Sequence, residues 1–204
     1  MELTQNPSVL ELVRKTAELT TPKEIVWIDG SEAQLESLRK IAVETGELIK
    51  LNEEKLPGCY LNRSDVNDVA RVEGRTFICS RTREEAGPTN NWMDPDEMKA
   101  KLHEILRGAM AGRTMYVIPY AMGVIGSPFA KYGIEVTDSI YVVLNMAIMT
   151  RIGTKVLDAL GDSSDVILGV HSKVTLDPEN RYIVHFPEEN KIISVNSNYG
   201  GNVL

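Results

Sequence analysis

The stretch GRTMYVIPYAMGVIGSPFAKYGIEVTDSIYVVLNMAIMTRIGTKVLDALG, residues 112–161, carries the longest apolar runs of the chain. Two runs within it, 115–118 and 140–149, are rich in Val, Ile, Tyr and Met, which favours strands that are buried on both faces. Between the runs lie four residues typical of turns: Gly123, Gly126, Pro128 and Gly133. The stretch therefore predicts two core strands, joined by a tightly turning loop that shapes a site or seals the core.

Three helices are predicted before this stretch from signals at their amino ends. Asn-Pro at 6–7 and Asp-Pro at 94–95 each combine a capping side chain with a proline suited to the first helical position. Ser31 and Gln34 have the spacing of a capping box, and apolar residues at helical spacing follow all three signals. These helices are expected to pack against the strands.

Short apolar runs supply the remaining strands. Runs at 25–28 and 48–51 flank the second helix, a pattern typical of a β-α-β unit with parallel strands. Runs at 69–72 and 76–79 flank Glu73-Gly74 and predict a hairpin that carries Arg71 on its first strand. Three more strands are predicted after residue 161, the last two forming an antiparallel hairpin: 166–170, 182–186 and 192–195. The fold class is therefore predicted as α/β, with mixed sheet and flanking helices.

Composition narrows the function classes. The 204 residues predict one domain, and 22 Lys and Arg against 29 Asp and Glu give a net charge of −7, which argues against a nucleic-acid partner. No apolar window approaches the about 18 residues of a membrane span, and no secretion signal is evident at the amino end, so a cytoplasmic location without membrane contact is expected. Cys59 and Cys79 have no ligand-like spacing, so neither a disulfide framework nor a zinc site is indicated.

Several ordered motifs resemble the N-terminal domain of GTP-dependent phosphoenolpyruvate carboxykinase. They are DVARVE at 68–73, NWMDPDEM at 91–98, the whole 112–162 block and IISVNSNYGGN at 192–202. The first sixty residues match more loosely. Four residues depart from the family, which commonly has Ser, Pro, Pro and Arg there: Ala121, Val124, Ile140 and Ala147.

The resemblance implies an activity and two segments that contact substrate. The family decarboxylates oxaloacetate and transfers the γ-phosphoryl group of GTP to the enolate, giving phosphoenolpyruvate, and the full enzyme uses Mn²⁺ or Mg²⁺. Arg71 in DVARVE corresponds to an arginine that contacts the anionic substrate, and a guanidinium presents a planar fork suited to carboxylate or phosphate. Without the resemblance, an arginine at a strand end is more often a solvated surface residue.

The second implied segment is Tyr199-Gly200-Gly201. Two glycines let the backbone approach an anion, and a tyrosine can set its ring edge and hydroxyl beside a carboxylate. A plain glycine turn is the alternative from spacing alone. The three histidines, His103, His171 and His185, lack metal-ligand spacing and are expected to have structural or surface roles.

The chain is expected to be the N-terminal domain, residues 1–204, without the nucleotide- and metal-binding C-terminal part. No G-x-x-x-x-G-K-[ST] phosphate loop occurs in the sequence, and in the family the metal and guanine sites lie beyond the YGGN segment. Catalytic, metal and nucleotide residues are therefore expected outside this chain, with GTP and the cation bound in the full enzyme. The alternative is a stand-alone, non-catalytic module that keeps the fold for anion binding or interaction.

Overall fold

A computed structural model describes residues 2–63 and 72–197. The described part holds five α-helices: α1 (Pro7–Thr20), α2 (Glu32–Glu44), α3 (Pro95–Leu106), α4 (Ile140–Met149) and α5 (Thr154–Leu160). The strands before α4 are β1 (Glu24–Trp27), β2 (Ile49–Lys50), β3 (Tyr60–Leu61), β4 (Thr76–Ile78), β5 (Thr114–Met122) and β6 (Lys131–Thr137). The strands after α4 are β7 (Arg151–Ile152), β8 (Ile167–Ser172), β9 (Tyr182–Phe186) and β10 (Lys191–Val195).

Eight of the described strands form one mixed sheet. Its order is β1-β5-β6-β8-β10-β9-β4, and β7 pairs with the end of β5. The neighbours β6, β8 and β10 run parallel, whereas β5 is antiparallel to β6 and β9 is antiparallel to β10. The predicted α/β class with a mixed sheet is confirmed, as is the hairpin of the last two strands.

Two apolar layers cover the faces of this sheet. One joins buried residues of α1, α3 and α5 to the face that carries Val117, Val136 and Val170. The other joins α2 and α4 to the opposite face over β5, where Ile118 and Tyr120 are fully buried. The helices are thus held by burial of apolar side chains against the sheet, the usual source of helix stability in a folded domain.

The capping signals identify three helices correctly. The side chain of Asn6 accepts hydrogen bonds from the backbone amides of Ser8 and Val9. Ser31 accepts from the amide of Gln34, and Asp94 accepts from the first two amides that follow Pro95. Each cap satisfies amides that have no partner inside the helix.

The run 140–149 is a helix, so the strand predicted there is wrong. Ser139 lies in the N-cap position, and its hydroxyl accepts a hydrogen bond from the amide of Val142. The helix packs between α2 and the end of β5. The run is almost entirely apolar, although Ile148 and Met149 at its end are exposed, and such a run has no periodicity that separates it from a buried strand.

Two strand pairings also differ from expectation. The run 48–51 does not complete a parallel β-α-β unit, because Ile49 pairs antiparallel with Leu61 in a separate two-stranded sheet. Strand β4 runs parallel to β9, and Glu73–Arg75 forms a short 3-10 helix instead of the tight turn of a hairpin. Residues 69–71 of that predicted hairpin lie outside the described residues.

Gly133 lies within a strand, so the turn predicted at that position is wrong. The hairpin loop between β5 and β6 spans residues 123–130, and Gly133 pairs with Tyr120 inside the sheet. A β-carbon on Gly133 would overlap the ring of Tyr120. The missing side chain therefore makes room for a large aromatic ring in the core.

Candidate functional site

The carboxyl ends of three neighbouring parallel strands meet at one edge of the sheet. They are residues 137–139 after β6, 171–173 at the end of β8 and 196–197 after β10. Ligand sites of open α/β sheets lie outside such carboxyl ends, where loops from adjacent strands converge. All of these residues except Lys173 are buried, although every one of them is polar or charged. We call this group the strand-end cluster.

His171 is the fully buried centre of the strand-end cluster. Its Nδ1 lies 2.7 Å from Oγ1 of Thr137, and its Nε2 lies 2.6 Å from the carbonyl oxygen of Ser197. A carbonyl oxygen only accepts, so Nε2 carries a hydrogen. The amide of Ser139 donates to Oγ1 of Thr137, and the threonine hydroxyl can then donate to Nδ1. The neutral tautomer with hydrogen on Nε2 satisfies both contacts.

Asn196 holds the adjacent backbone in an unusual conformation. Its φ angle is 61°, in the left-handed region, where asparagine is one of the better-tolerated residues. Its side-chain oxygen accepts from the amides of Thr175 and Asp177, and its side-chain nitrogen donates to the carbonyl of Asn180 at 2.8 Å. Nε of the buried Arg181 donates to the carbonyl of Asn196 at 2.9 Å. The carbonyls of both 196 and 197 are therefore held by buried side chains.

Asp138 forms the charged part of the strand-end cluster. Its side chain is fully buried, and Oδ2 accepts from Nη1 of Arg113 at 2.7 Å and from the hydroxyl of Ser172 at 3.0 Å. Oδ1 accepts from the amide of Lys173 at 2.9 Å. The second guanidinium nitrogen of Arg113 donates to the carbonyl of Val174. A Thr-Asp-Ser context favours the binding of a nearby turn amide by Asp138, whereas its partner Arg113 lies just before β5 and is distant in sequence.

A second carboxylate of this edge belongs to Glu47. It accepts from the hydroxyl of Ser139 at 3.2 Å and from the amide of Tyr141 at 3.1 Å, at the start of α4. Nζ of Lys173 lies 3.8 Å from the same carboxylate. Each of the two carboxylates, Asp138 and Glu47, thus has a cationic neighbour, and the strand-end cluster is close to electrically balanced.

A buried carboxyl group, that of Glu135, lies within β6, two residues before Thr137. Glu135 is 4% exposed, and desolvation raises its pKa to about 8. It shares a sheet face with Tyr120, whose phenol pKa is also raised by burial. Within the described residues, the hydroxyls of Tyr120 and Ser194 are buried and have no hydrogen-bond partner. This face of the sheet is therefore unusually polar below the strand-end cluster.

The four predicted substrate residues, Arg71, Tyr199, Gly200 and Gly201, lie outside the described residues. The residues next to them are described: Val72 follows Arg71, and Ser197 lies two residues before Tyr199. Ile183 pairs with both Thr76 and Ser194, so the amino end of β4 and the carboxyl end of β10 lie at the same edge of the sheet. The strand that follows Arg71 and the strand that precedes Tyr199 therefore meet the same edge of the sheet.

The other two histidines contribute nothing to the strand-end cluster. His103 is an exposed residue of α3 beside Glu104. His185 lies within β9, where burial lowers its pKa. The structural and surface roles predicted for these two agree with their places in the fold. No local pattern distinguishes His171 from these two, because its partners Thr137 and Ser197 are far away along the chain.

Comparison with known proteins decides the family. The sequence model of the phosphoenolpyruvate carboxykinase N-terminal domain matches residues 11–204. The chain belongs to the phosphoenolpyruvate carboxykinase N-terminal domain family. The resemblance drawn from the ordered motifs is thereby confirmed.

Relatives match this chain along nearly its whole length. A phosphoenolpyruvate carboxykinase [GTP] of Anaeromyxobacter dehalogenans is 54% identical over 201 residues, which is 98% of this chain and 34% of the relative. Enzymes of the same name from Neocallimastix frontalis and Corynebacterium jeikeium are 50% and 47% identical and are covered to 35%. The chain therefore spans about a third of the length of these relatives.

In the part of the chain that the structure describes, none of the helices has the length and apolar character of a bilayer span.

Proposed function

We propose that residues 1–204 form the substrate-binding N-terminal domain of an enzyme that converts oxaloacetate and GTP to phosphoenolpyruvate, GDP and carbon dioxide. The observation that carries this proposal is the match to carboxykinases named for GTP over 98% of the chain. Sequence identity near one half over a full domain supports a shared role. The partner in the reaction is then a small dianionic substrate.

Arg71 and the Tyr199-Gly200-Gly201 segment are the proposed substrate contacts. The support from the fold is that β4, which follows Arg71 in the sequence, begins at the sheet edge where β10 ends. At that edge the guanidinium of Arg71 would pair with a substrate carboxylate or phosphate, and the backbone amides of the two glycines would donate hydrogen bonds to the anion. The overall charge of −7 repels anions, so such local groups must supply the attraction.

GTP and the divalent cation, Mn²⁺ or Mg²⁺, are proposed to bind mainly in the C-terminal domain of the full enzyme, the part of the relatives that this chain does not match. Two observations support this. The sequence has no phosphate-loop motif, and the described residues include no group of three or more His, Cys, Asp or Glu that could hold a metal ion. The cation would supply charge neutralisation of the transferring phosphoryl group. A cytoplasmic location of the enzyme, without membrane contact, is likewise proposed.

A chimaera tests the proposed function. This chain replaces the matched third of the Anaeromyxobacter dehalogenans enzyme, and GTP-dependent formation of phosphoenolpyruvate is measured beside the unmodified parent. Activity well above that of the parent's remaining two-thirds alone is expected. A chimaera that folds, as judged by circular dichroism and gel filtration, and yet stays inactive would favour the non-catalytic anion-binding module.

A calorimetric titration of the chain itself adds a second measurement. Phosphoenolpyruvate is expected to bind weakly and GTP to give no tight binding. Tight GTP binding by this chain would contradict the placement of the nucleotide site in the C-terminal domain. Weak phosphoenolpyruvate binding fits both the enzyme and the non-catalytic module, so the chimaera decides between those two.

A further inference from the structure

The hairpin loop between β5 and β6 and the end of α4 together expose a cluster of apolar side chains. Gly123, at the start of that loop, lies at the centre of the cluster. Ala121 of β5 pairs with Arg151 of β7, two residues after the end of α4, so that helix ends beside Gly123. On the other side, a β-carbon on Gly123 would lie 3.5 Å from Cα of Ala130. The four most exposed large apolar side chains of the described residues gather here, and we call them the hairpin patch: Phe129 (89%), Ile148 (83%), Met149 (70%) and Val124 (66%).

The loop that presents two of these side chains is held in one conformation by its own hydrogen bonds. The amide of Ser127 donates to the carbonyl of Val124 at 3.0 Å, and the hydroxyl of Ser127 accepts from the amide of Phe129 at 3.2 Å. The amide of Gly126 donates to the hydroxyl of Tyr132 at 2.9 Å. A loop that is already ordered loses little further conformational entropy when it binds. Apolar side chains exposed on such a loop are therefore prepared for contact with another surface.

Two cationic side chains flank the hairpin patch at the end of β5. Lys131 pairs in register with Met122, Arg151 pairs with Ala121, and both cations are exposed. Within the part of the chain that the structure describes, neither of them forms an ion pair with an acidic residue. A second copy of this chain, related by a two-fold axis, would bring these cations against each other, which is unfavourable. The surface that fits the patch is therefore apolar at its centre and acidic at its rim.

The part of the full enzyme that this chain does not match is large enough to reach the patch. The matched relatives have about twice the length of this chain outside the match. A domain of about 400 residues has a radius of gyration of about 21 Å and is about 50 Å across. Strand β6 rises about 3.3 Å at each residue, so the hairpin loop lies about 20 Å from the sheet edge where β10 ends. A body of that size next to β10 therefore extends past the hairpin patch.

We propose that the hairpin patch is the surface on which the C-terminal part of the full enzyme docks. The proposal rests on the proposed function, because the docking part is the one that the relatives have and this chain does not match. The C-terminal part covers Phe129 and Met149 with apolar side chains and places carboxylates opposite Lys131 and Arg151. Burial of the apolar side chains supplies favourable free energy, and the charges select the orientation of the two parts.

Hydroxyl-radical footprinting tests this contact without reference to activity. Oxidation of Phe129 and Met149 is measured by mass spectrometry in this chain alone and in the chimaera with the Anaeromyxobacter dehalogenans enzyme. Oxidation of both side chains is expected to fall about fivefold or more in the chimaera, because the core of an interface is closed to solvent. Equal oxidation in the two proteins would overturn the proposal. If the chimaera fails to fold, the residues aligned with 123–130 are footprinted in the Anaeromyxobacter enzyme itself, and oxidation there as fast as in this chain would also overturn it.

Phe129→Ser, placed in both proteins, supplies the matched comparison. In this chain alone the side chain is 89% exposed, so the thermal unfolding midpoint is expected to stay within about 2 °C of the unsubstituted chain. In the chimaera the midpoint should fall by about 4 °C or more, because the substitution removes an apolar contact between the two parts. The same shift in both proteins would contradict docking at this patch.

Two other occupants of the hairpin patch give different results. If gel filtration shows this chain as a dimer and Phe129→Ser as a monomer, the patch binds a second copy. If the chimaera binds vesicles of phosphatidylcholine and phosphatidylserine and Phe129→Ser abolishes that binding, the patch contacts an anionic membrane surface. Either result would overturn the proposal. An inactive chimaera in which Phe129 is protected from oxidation would remove the proposed function and leave the docking surface in place.

Discussion

A β-carbon on Gly169 would overlap Oε2 of Glu135, its partner in the register of β6 and β8. The carboxyl group of Glu135 therefore occupies the space that any larger residue at 169 would need. Because this carboxyl group is buried and lies directly on the neighbouring strand, the two residues must be considered together. One is a buried acid, and the other provides the space that accommodates it.

Gly169→Ala is expected to destabilise the domain by about 1–3 kcal/mol, the usual effect of inserting atoms into a packed core. Urea denaturation measures the change. Gly74→Ala is the matched control, because a β-carbon there meets nothing within 4 Å. That control should change the free energy of unfolding by less than about 0.5 kcal/mol. Equal effects of the two substitutions would contradict the contact with Glu135.

Glu135→Gln is expected to change how stability depends on pH. The pKa of Glu135 is about 8 in the folded chain and near 4.5 when exposed, so the folded state holds one more proton between these values. The contribution of Glu135 to the free energy of unfolding is fully present below about pH 4.5 and falls as pH rises towards 8. In Glu135→Gln the free energy of unfolding should lose this dependence on pH, which has a slope of up to about 1.4 kcal/mol per pH unit. Urea denaturation of both proteins from pH 5 to 9 checks this, and parallel curves would disprove it.

Asp138→Ala is expected to cost about 3 kcal/mol or more, because it leaves the guanidinium of Arg113 and two further donors without their acceptor. Thermal or urea unfolding gives the value. The comparison is Arg14→Ala, which breaks ion pairs with Glu11 and Glu18 on the exposed surface of α1. Exposed pairs contribute at most about 1 kcal/mol. A similar loss in both variants would show that burial of Asp138 does not matter.

Arg71→Ala in the active chimaera is expected to cost about 1.5–3 kcal/mol of transition-state stabilisation, the scale of a charge-assisted hydrogen bond, measured as a lower kcat/KM for oxaloacetate. The neighbouring control is Arg75→Ala, whose guanidinium donates to the hydroxyl of Tyr182 and pairs with Glu179. That substitution should leave kcat/KM nearly unchanged. If Arg71→Ala leaves both KM and kcat unchanged, Arg71 is not part of the site.

The fold was predictable where a local signal decides the structure. Asn6, Ser31 and Asp94 start their helices because a side chain satisfies nearby amides, and those signals are visible over four residues. The run 140–149 carried a similar signal in Ser139, and the proline that the family commonly has at residue 140 suits a first helical position. Its apolar composition outweighed that cap in the prediction, although the cap was the better guide.

The strand-end cluster was not predictable, because its contacts join residues distant in sequence. Arg113 meets Asp138, and His171 meets Ser197, only once the parallel register of β6, β8 and β10 exists. A single sequence gives no register between strands separated by helices and loops. The family motifs pointed to Arg71 and Tyr199 at the substrate, which remain predictions, and gave no reason to single out the buried histidine.

The sheet order also determines when the domain can fold. Thr76 pairs with Ile183, so β4 joins the sheet only through a strand near the far end of the chain. During synthesis β4 leaves the ribosome long before β9 and β10 exist, and contacts so distant in sequence slow folding. The strand that follows the proposed substrate arginine is therefore expected to be among the last to settle.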